Sequence, residues 1–314
     1  MTDSASVSGS TVVLADDGWG DAGRKVLGLH FHRLQARAPG VIAGEDPEEV
    51  HGMRVAARRM RAAWRVFGDA YQRDVRRRMV VDLHDVGQRL GRVRDMDVLI
   101  SLLDAYLAAH PKHAPLELLR ADWVELRSAA HRDLVLHLRS ASFTRFVAEY
   151  AAFLTKDGGS LERADMIARV PVRALFPGRA WHAYGEVLSY AEFLPPADSI
   201  DMMAFHQLRI RAKWLRYTLE FARDALGDSA TRVIEPIVTL QDHLGEQHDL
   251  YEAMLMTREF ATGTHGAVEE AALAAFARYL DRSVERYGNR FPRVWQPISG
   301  RHYRNRLSGA LAQM

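Results

Sequence analysis

The sequence predicts an all-α protein, and three observations carry that prediction. Apolar residues recur at helical spacing along most of the 314 residues. Alternating runs of Val, Ile and Thr, the mark of a sheet, are nearly absent. One helical stretch also recurs later in the chain, which points to an internal duplication. Helices are expected over 21–38, 48–68, 71–91, 95–109, 115–139, 142–155, 179–193, 201–226, 229–257 and 265–287, followed by a shorter terminal piece. Pro47 just inside a start, Gly68 and Gly227 past ends, and Asp201 as an N-cap supply the punctuation. Residues 1–20 read as a flexible tail. The Gly- and Pro-bearing stretch at about 156–178 reads as a linker between a first repeat (about 21–155) and a second (about 179–300) within one domain, 21–314.

The composition is that of a globular protein, 48% hydrophobic and 26% charged. Net charge is only +2, but it is unevenly distributed. Residues 51 to 80 hold nine arginines against Asp69 and Asp74. The segment HQLRIRAKWLRYTLEFAR carries five basic residues against Glu220, and DRSVERYGNRFPRVWQPISGRHYRNR carries seven arginines against Asp281 and Glu285. With no cysteine, disulfides and thiolate metal sites are excluded. No apolar run reaches the roughly 18 residues of a membrane span, and the N-terminus lacks the pattern of a signal peptide, so a cytoplasmic location is expected.

The duplication aligns the basic segments. HGMRVAARRMRAAW, from His51, matches HQLRIRAKWLRYTL, from His206, so that Arg54 meets Arg209, Arg58 meets Lys213 and Arg61 meets Arg216. Further on, LGRVRD at 90–95 matches LGEQHD at 244–249 and sets Arg94 against His248. A helix turns about 100° per residue, which gathers His51, Arg54, Arg58, Arg61 and Arg65 into an arc of about 80°. In the second copy the strip His206, Arg209, Lys213, Arg216 runs between two apolar bands, as expected of a helix held by neighbours with its charge facing an internal groove. The alternative is a solvated face neutralised by Asp95, Asp97, Asp249 and Glu220. Like charges at i,i+4 cost a few tenths of a kcal/mol each, and a polyanion would relieve them. Arginine suits that task, because its fork meets phosphate oxygens bidentately.

Four pieces, VHGMRVAARRMRAAWRVF, LGRVRDMDVLI, FHQLRIRAKWLRYTLEFA and LQDHLGEQHDLYEAM, resemble the CHAD (conserved histidine α-helical domain) family in its order, over roughly residues 20 to 300. The resemblance implies two helical bundles related by pseudo-two-fold symmetry around a basic central groove. It also implies binding of inorganic polyphosphate, with association to polyphosphate granules. Carried over by position, the phosphate contacts are His51, Arg54, Arg58, Arg61, His206, Arg209, Lys213 and Arg216, with Arg65 and Arg94 as further candidates. Glu220 and Tyr217 match positions that would orient those bases. His248, in the place of Arg94, would lose its charge as pH rises. Arg163, Arg169, Arg173 and Arg179 of the linker region are not placed by the resemblance.

Other chemistries find less support. His84-Asp85 and His248-Asp249 are HD dipeptides of the kind that metal phosphohydrolases use, but the duplication does not preserve both residues of either. His30 and His32 are expected as a capped or core pair. No phosphate loop, serine elbow or H-E-x-x-H helix is present. No metal, cofactor or catalytic residue is therefore assigned, and the chain is read as a binder. Nucleic acid is the main competing ligand, since counterion release drives both kinds of binding. Single-strand binders interleave exposed aromatics, whereas Trp64, Trp214, Tyr217 and Phe221 fall on packing faces. Tyr287, Phe291, Trp295 and Tyr303, among the C-terminal arginines, keep that alternative open.

Overall fold

The computed structural model describes residues 11–155, 166–190 and 202–314. Ten α-helices follow in order: α1 Trp19–Ala43, α2 Pro47–Phe67, α3 Arg73–Ala109, α4 Glu117–Leu138, α5 Ala141–Thr155, α6 Val172–Leu188, α7 Met202–Phe221, α8 Ala230–Phe260, α9 Ala267–Ser299 and α10 Arg301–Leu311. Among the described residues there is no strand, only an isolated bridge between Gly18 and Pro171. Asp201, Arg163 and residues 156–165 of the expected linker lie outside the described residues.

Local chemistry sets the helix that matters most. Asp46 caps α2 by accepting from the Glu48 amide at 2.8 Å, Pro47 occupies its first position, and Glu48 and Glu49 complement the helix dipole. Just upstream, α1 stops at Gly44, whose φ of 76° suits a residue without a Cβ. α3 runs unbroken for 37 residues where two helices were expected. Residues 91–95, where the expected helices were separated, continue it, and Gly91 is buried facing Arg54 of α2.

Other expectations shift in detail. α6 begins at Val172, inside the expected linker, and α9 continues through Pro292 and Pro297 to Ser299, well past the expected 287. Of the expected tail, residues 1–10 lie outside the described residues, but residues 11–18 are packed. Val13 is buried, Lys25 binds both oxygens of Asp17 at 2.8 Å, and the backbone of Ala15, Asp17 and Trp19 pairs with residues 170–173. Arg173 pairs with Asp16 and so ties down the N-terminal segment, whereas Arg179 pairs with Asp69 in the turn after α2.

The cores do not divide along the boundary between the two expected repeats. A large apolar cluster joins α1, α2 and α5 to α6, α7, α10 and the first half of α8. A smaller one joins the far ends of α3 and α8 to α4 and α9. Each draws on helices from both halves of the chain, so neither half has a core to itself. Trp64, fully buried, donates from Nε1 to the Tyr150 hydroxyl at 2.8 Å and packs on Tyr71 and Phe153. Burying such a side chain stabilises by roughly 1.5–3 kcal/mol. The core holds α2 by this face and leaves its opposite edge to the site.

Candidate functional site between α2 and α7

The apolar faces of α2 and α7 are clamped by the core, and the two helices touch each other along their basic edges. Glu220 of α7 fixes the register. It accepts from Arg59 of α2 at 2.6 Å and from Arg216 of its own helix at 2.7 Å. Tyr217 lies beneath two guanidinium groups, with its ring centre 5.5 Å from Arg58 and 5.2 Å from Arg59. The expected roles of Glu220 and Tyr217 as orienting groups therefore have their geometry.

Beside this strut two cavities adjoin. One, of about 550 Å³, is lined by His51, Arg54, Arg94, His206, Arg209 and His248, with Asp95, Asp249 and Glu252. The other, of about 240 Å³, is lined by Arg58, Arg209, Lys213, Gln241, Asp242, Glu246 and Asp249. Arg209 and Asp249 belong to both, so the two form one cleft. Arg94 and His248, matched through the repeat, face the same cavity, as do His51 and His206.

The cations divide into two groups. Arg54 pairs with Asp95 at 3.0 Å, Arg216 with Glu220, and Arg65 with Glu186 at 2.7 Å. Arg65 also lies over Trp214, and like Arg61 and Arg216 it lines neither cavity; Arg61 and Arg216 stay close enough for their charges to act on Lys213 and Arg58, respectively. Among the described residues, Arg58, Arg61, Arg94, Arg209 and Lys213 have no carboxylate at ion-pair distance. The Arg58 Nε is buried and has no hydrogen-bond partner. Unsatisfied buried charge of this kind is costly.

Electrostatics records the crowding. The Lys213 ammonium is pushed down to about 6 by burial, then by Arg209, Arg58, Arg54 and Arg61. Burial also lowers the Arg58 guanidinium, with Arg54, Arg209 and Arg216 adding to the effect. The same combination drives His248 down to about 4 and lowers His51 and His206. Burial and the neighbouring cations thus disfavour the charged form of all three imidazoles, most strongly at His248, the match to Arg94.

Of the acids expected to neutralise the strip, Asp95 and Glu220 do so. Asp97 turns away to Arg127 at 2.9 Å, and Asp249 lies beside Arg209 with its carboxyl raised by burial. The sequence did not single out Arg59, Gln241, Asp242 or Glu252. Gln241 and Glu252 share a helical row with His248 at spacings of seven and four, the signal that could have found them. The remaining histidine expectations resolve separately. His30 is buried, with its imidazole pushed down to about 3, while His32 is exposed, so they are not a pair. His84 is exposed, and Asp85 pairs with Arg89. Among the described residues no group of three or more His, Asp or Glu side chains gathers as a metal site.

The CHAD domain model matches residues 25–258. The chain belongs to the CHAD family. Among solved structures, the CHAD domain from the plant Ricinus communis is 24% identical, with a TM-score of 0.74 over 91% of this chain and 93% of that one. PptA from Streptomyces chartreusis is 18% identical, with a TM-score of 0.73 over 89% of this chain and 100% of that one. At these identities the likeness establishes the fold. No match is found among curated proteins. No described helix of this CHAD protein is long and apolar enough to cross a membrane.

Proposed function

We propose that this CHAD protein binds inorganic polyphosphate in the cleft between α2 and α7, as a binder without catalytic turnover. The observation that carries the reading is the convergence of Arg58, Arg209 and Lys213 on one cavity with no carboxylate at ion-pair distance from any of them. Asp242, Glu246 and Asp249 also line that cavity but none of them closes an ion pair with these three cations, so a chain of adjoining phosphates could meet them directly without demanding bases or sugars. Arg94, Arg54 and the imidazoles of His51 and His206 extend the contact surface into the larger cavity. Arg61 completes the field felt by Lys213. The family resemblance points to the same ligand, and association with polyphosphate granules would follow from it.

The lining disfavours nucleic acid inside the cleft. Among the described residues no Phe, Tyr or Trp lines either cavity, and the rings that do, the imidazoles of His51, His206 and His248, are partly buried, so few bases could stack there. The test is competition at about physiological salt, with labelled polyphosphate displaced by unlabelled polyphosphate, single-stranded DNA or duplex DNA. Polyphosphate should compete far better than either nucleic acid at equal phosphate concentration. Equal displacement by an oligonucleotide would contradict a selective cleft. Incubation of long chains with Mg²⁺ should leave their length unchanged, and sustained shortening would contradict the binder reading.

A further inference from the structure

The second concentration of arginine in this molecule lies on α9; none of these arginines lines the cleft, although Tyr287 of the same helix donates to Glu246 at its edge at 2.6 Å. Arg278, Arg282, Arg286, Arg290 and Arg293 are all exposed on α9, beyond the residues that the family model matches. Their spacing of four, four, four and three residues keeps them within an arc of about 120° and sets successive guanidinium groups about 6 Å apart along the axis. Among the described residues none of the five is in an ion pair. Asp281, the nearest acid in sequence, is engaged by Arg258 at 2.8 Å. Glu285 stands at the edge of the arc. On α4, by contrast, Arg120 pairs with Asp104 and Arg127 with Asp97.

Both ends of this row are furnished. At the Arg278 end the turn Pro111–Leu116 packs on α9 and brings three rings into near-parallel contact. Tyr106 and His110 lie 4.2 Å apart at 21°, and His110 and His113 lie 5.8 Å apart at 7°. Tyr279 of α9 joins at 4.8 Å from Tyr106. His110, the exposed ring, is held by its Nδ1 at 3.0 Å from the Tyr106 carbonyl, and His113 by its Nδ1 at 2.8 Å from the Tyr106 hydroxyl. The charges of Arg278 and Arg282 act on the Tyr106 phenol, which places them beside the stack. At the other end Arg293 shares a cavity of about 360 Å³ with Arg232, Arg306, Thr231, Thr239 and Glu235.

We propose that the outer face of α9, from the Tyr106–His110–His113 ring cluster to the Arg232–Arg293–Arg306 cavity, binds single-stranded nucleic acid independently of the cleft. An open, convex row cannot enclose a chain, so it must grip by spacing. Phosphates separated by a sugar suit cations one helical step apart, whereas condensed phosphates that share an oxygen lie much closer together. Rings beside the cations offer a surface to an unstacked base, which a duplex would keep hidden.

The experiment is fluorescence anisotropy of the full chain with a labelled oligodeoxythymidylate across a salt series. Wild type should bind it, and binding should persist when polyphosphate occupies the cleft. The triple variant Arg282→Gln, Arg286→Gln, Arg290→Gln should weaken oligonucleotide binding by 30-fold or more. It should also reduce the slope of log K against log salt by about 2, at about 0.7 per lost phosphate contact. His110→Ala should weaken oligodeoxythymidylate several-fold and leave an abasic strand unaffected. Polyphosphate affinity and circular dichroism should not change in either variant. An unaltered oligonucleotide affinity in the triple variant overturns the proposal. Equal affinity for duplex DNA or for anionic phosphatidylserine vesicles overturns it as well. A loss of oligonucleotide binding in the cleft variant Arg58→Ala/Lys213→Ala would also overturn it. Absence of polyphosphate binding would instead strike only the cleft, since the oligonucleotide result does not depend on it.

Discussion

Two rows of cations, built from the same residue type at the same helical spacing, meet opposite fates in this molecule. Along α2 and α7 they are turned inward against one another, and along α9 they stand in water. Inward-facing cations lose hydration and repel at close range, which the fall of Lys213 to about 6 records. That cost is present in the empty protein and is removed only by an anion entering the cleft. Exposed cations carry little such cost, and salt screens whatever they attract. Burial, more than the number of arginines, therefore decides which face holds an anion tightly.

The largest expected effect comes from removing the unpartnered pair on that inner face. Arg58→Ala with Lys213→Ala should reduce polyphosphate affinity by about 100-fold or more, at about 1–3 kcal/mol for each lost charge-assisted contact. Isothermal titration calorimetry would measure this, and retained helicity would show that the loss belongs to binding.

Next is the strut that holds the two helices in register. Glu220→Gln leaves Arg59 and Arg216 without their shared carboxylate, and the partial exposure of all three moderates the penalty. A loss of about 1–3 kcal/mol is expected, as a lower urea midpoint at unchanged slope.

The pH response should be smaller and has a fixed sign. A lysine whose folded value is about 6, against an ordinary 10.5, is neutral in the empty protein at pH 7.5 but protonated in the unfolded chain. The unfolded state then binds more protons, so Lys213 makes the free protein more stable as pH rises from about 6 towards 10.5. Phosphate in the cleft favours the ammonium and draws a proton in. Polyphosphate affinity should therefore fall as pH rises above about 6. Calorimetry at pH 7.5 in buffers of different ionisation enthalpy should register net proton uptake. Lys213→Met should abolish much of that uptake while raising the melting temperature of the free protein. Uptake unchanged in the variant would place the proton elsewhere.

The smallest effect concerns the cation already engaged. Asp95 occupies Arg54 at 3.0 Å and is itself largely exposed, so it competes only weakly with a ligand. Asp95→Asn should tighten polyphosphate binding by about 2- to 5-fold, in keeping with the modest value of such pairs.

Much of this arrangement was legible in the sequence because it is repeated there. The match of His51, Arg54 and Arg58 to His206, Arg209 and Lys213 found residues that the fold brings into one cleft. Helix existence followed from periodicity, but the ends did not. The expected gap between 91 and 95 is continuous helix, and Pro292 and Pro297 do not halt α9. A wheel angle fixes where a residue lies around its own helix, but not which neighbour it meets. Arg65 shares the arc of Arg58 and yet meets Glu186 of α6. Nor can a single sequence show desolvation, which is a property of the assembled core and is what disfavours the charged form of His51, His206 and His248. For the same reason His30 and His32, two residues apart, part between core and solvent.

The most direct measurement is a crystal structure with a short polyphosphate soaked into the protein. Phosphate groups threaded between α2 and α7, within hydrogen-bond distance of Arg58, Arg209 and Lys213, are the predicted result. An empty cleft with phosphates only on outer faces, or those three side chains turned out into solvent, would contradict it.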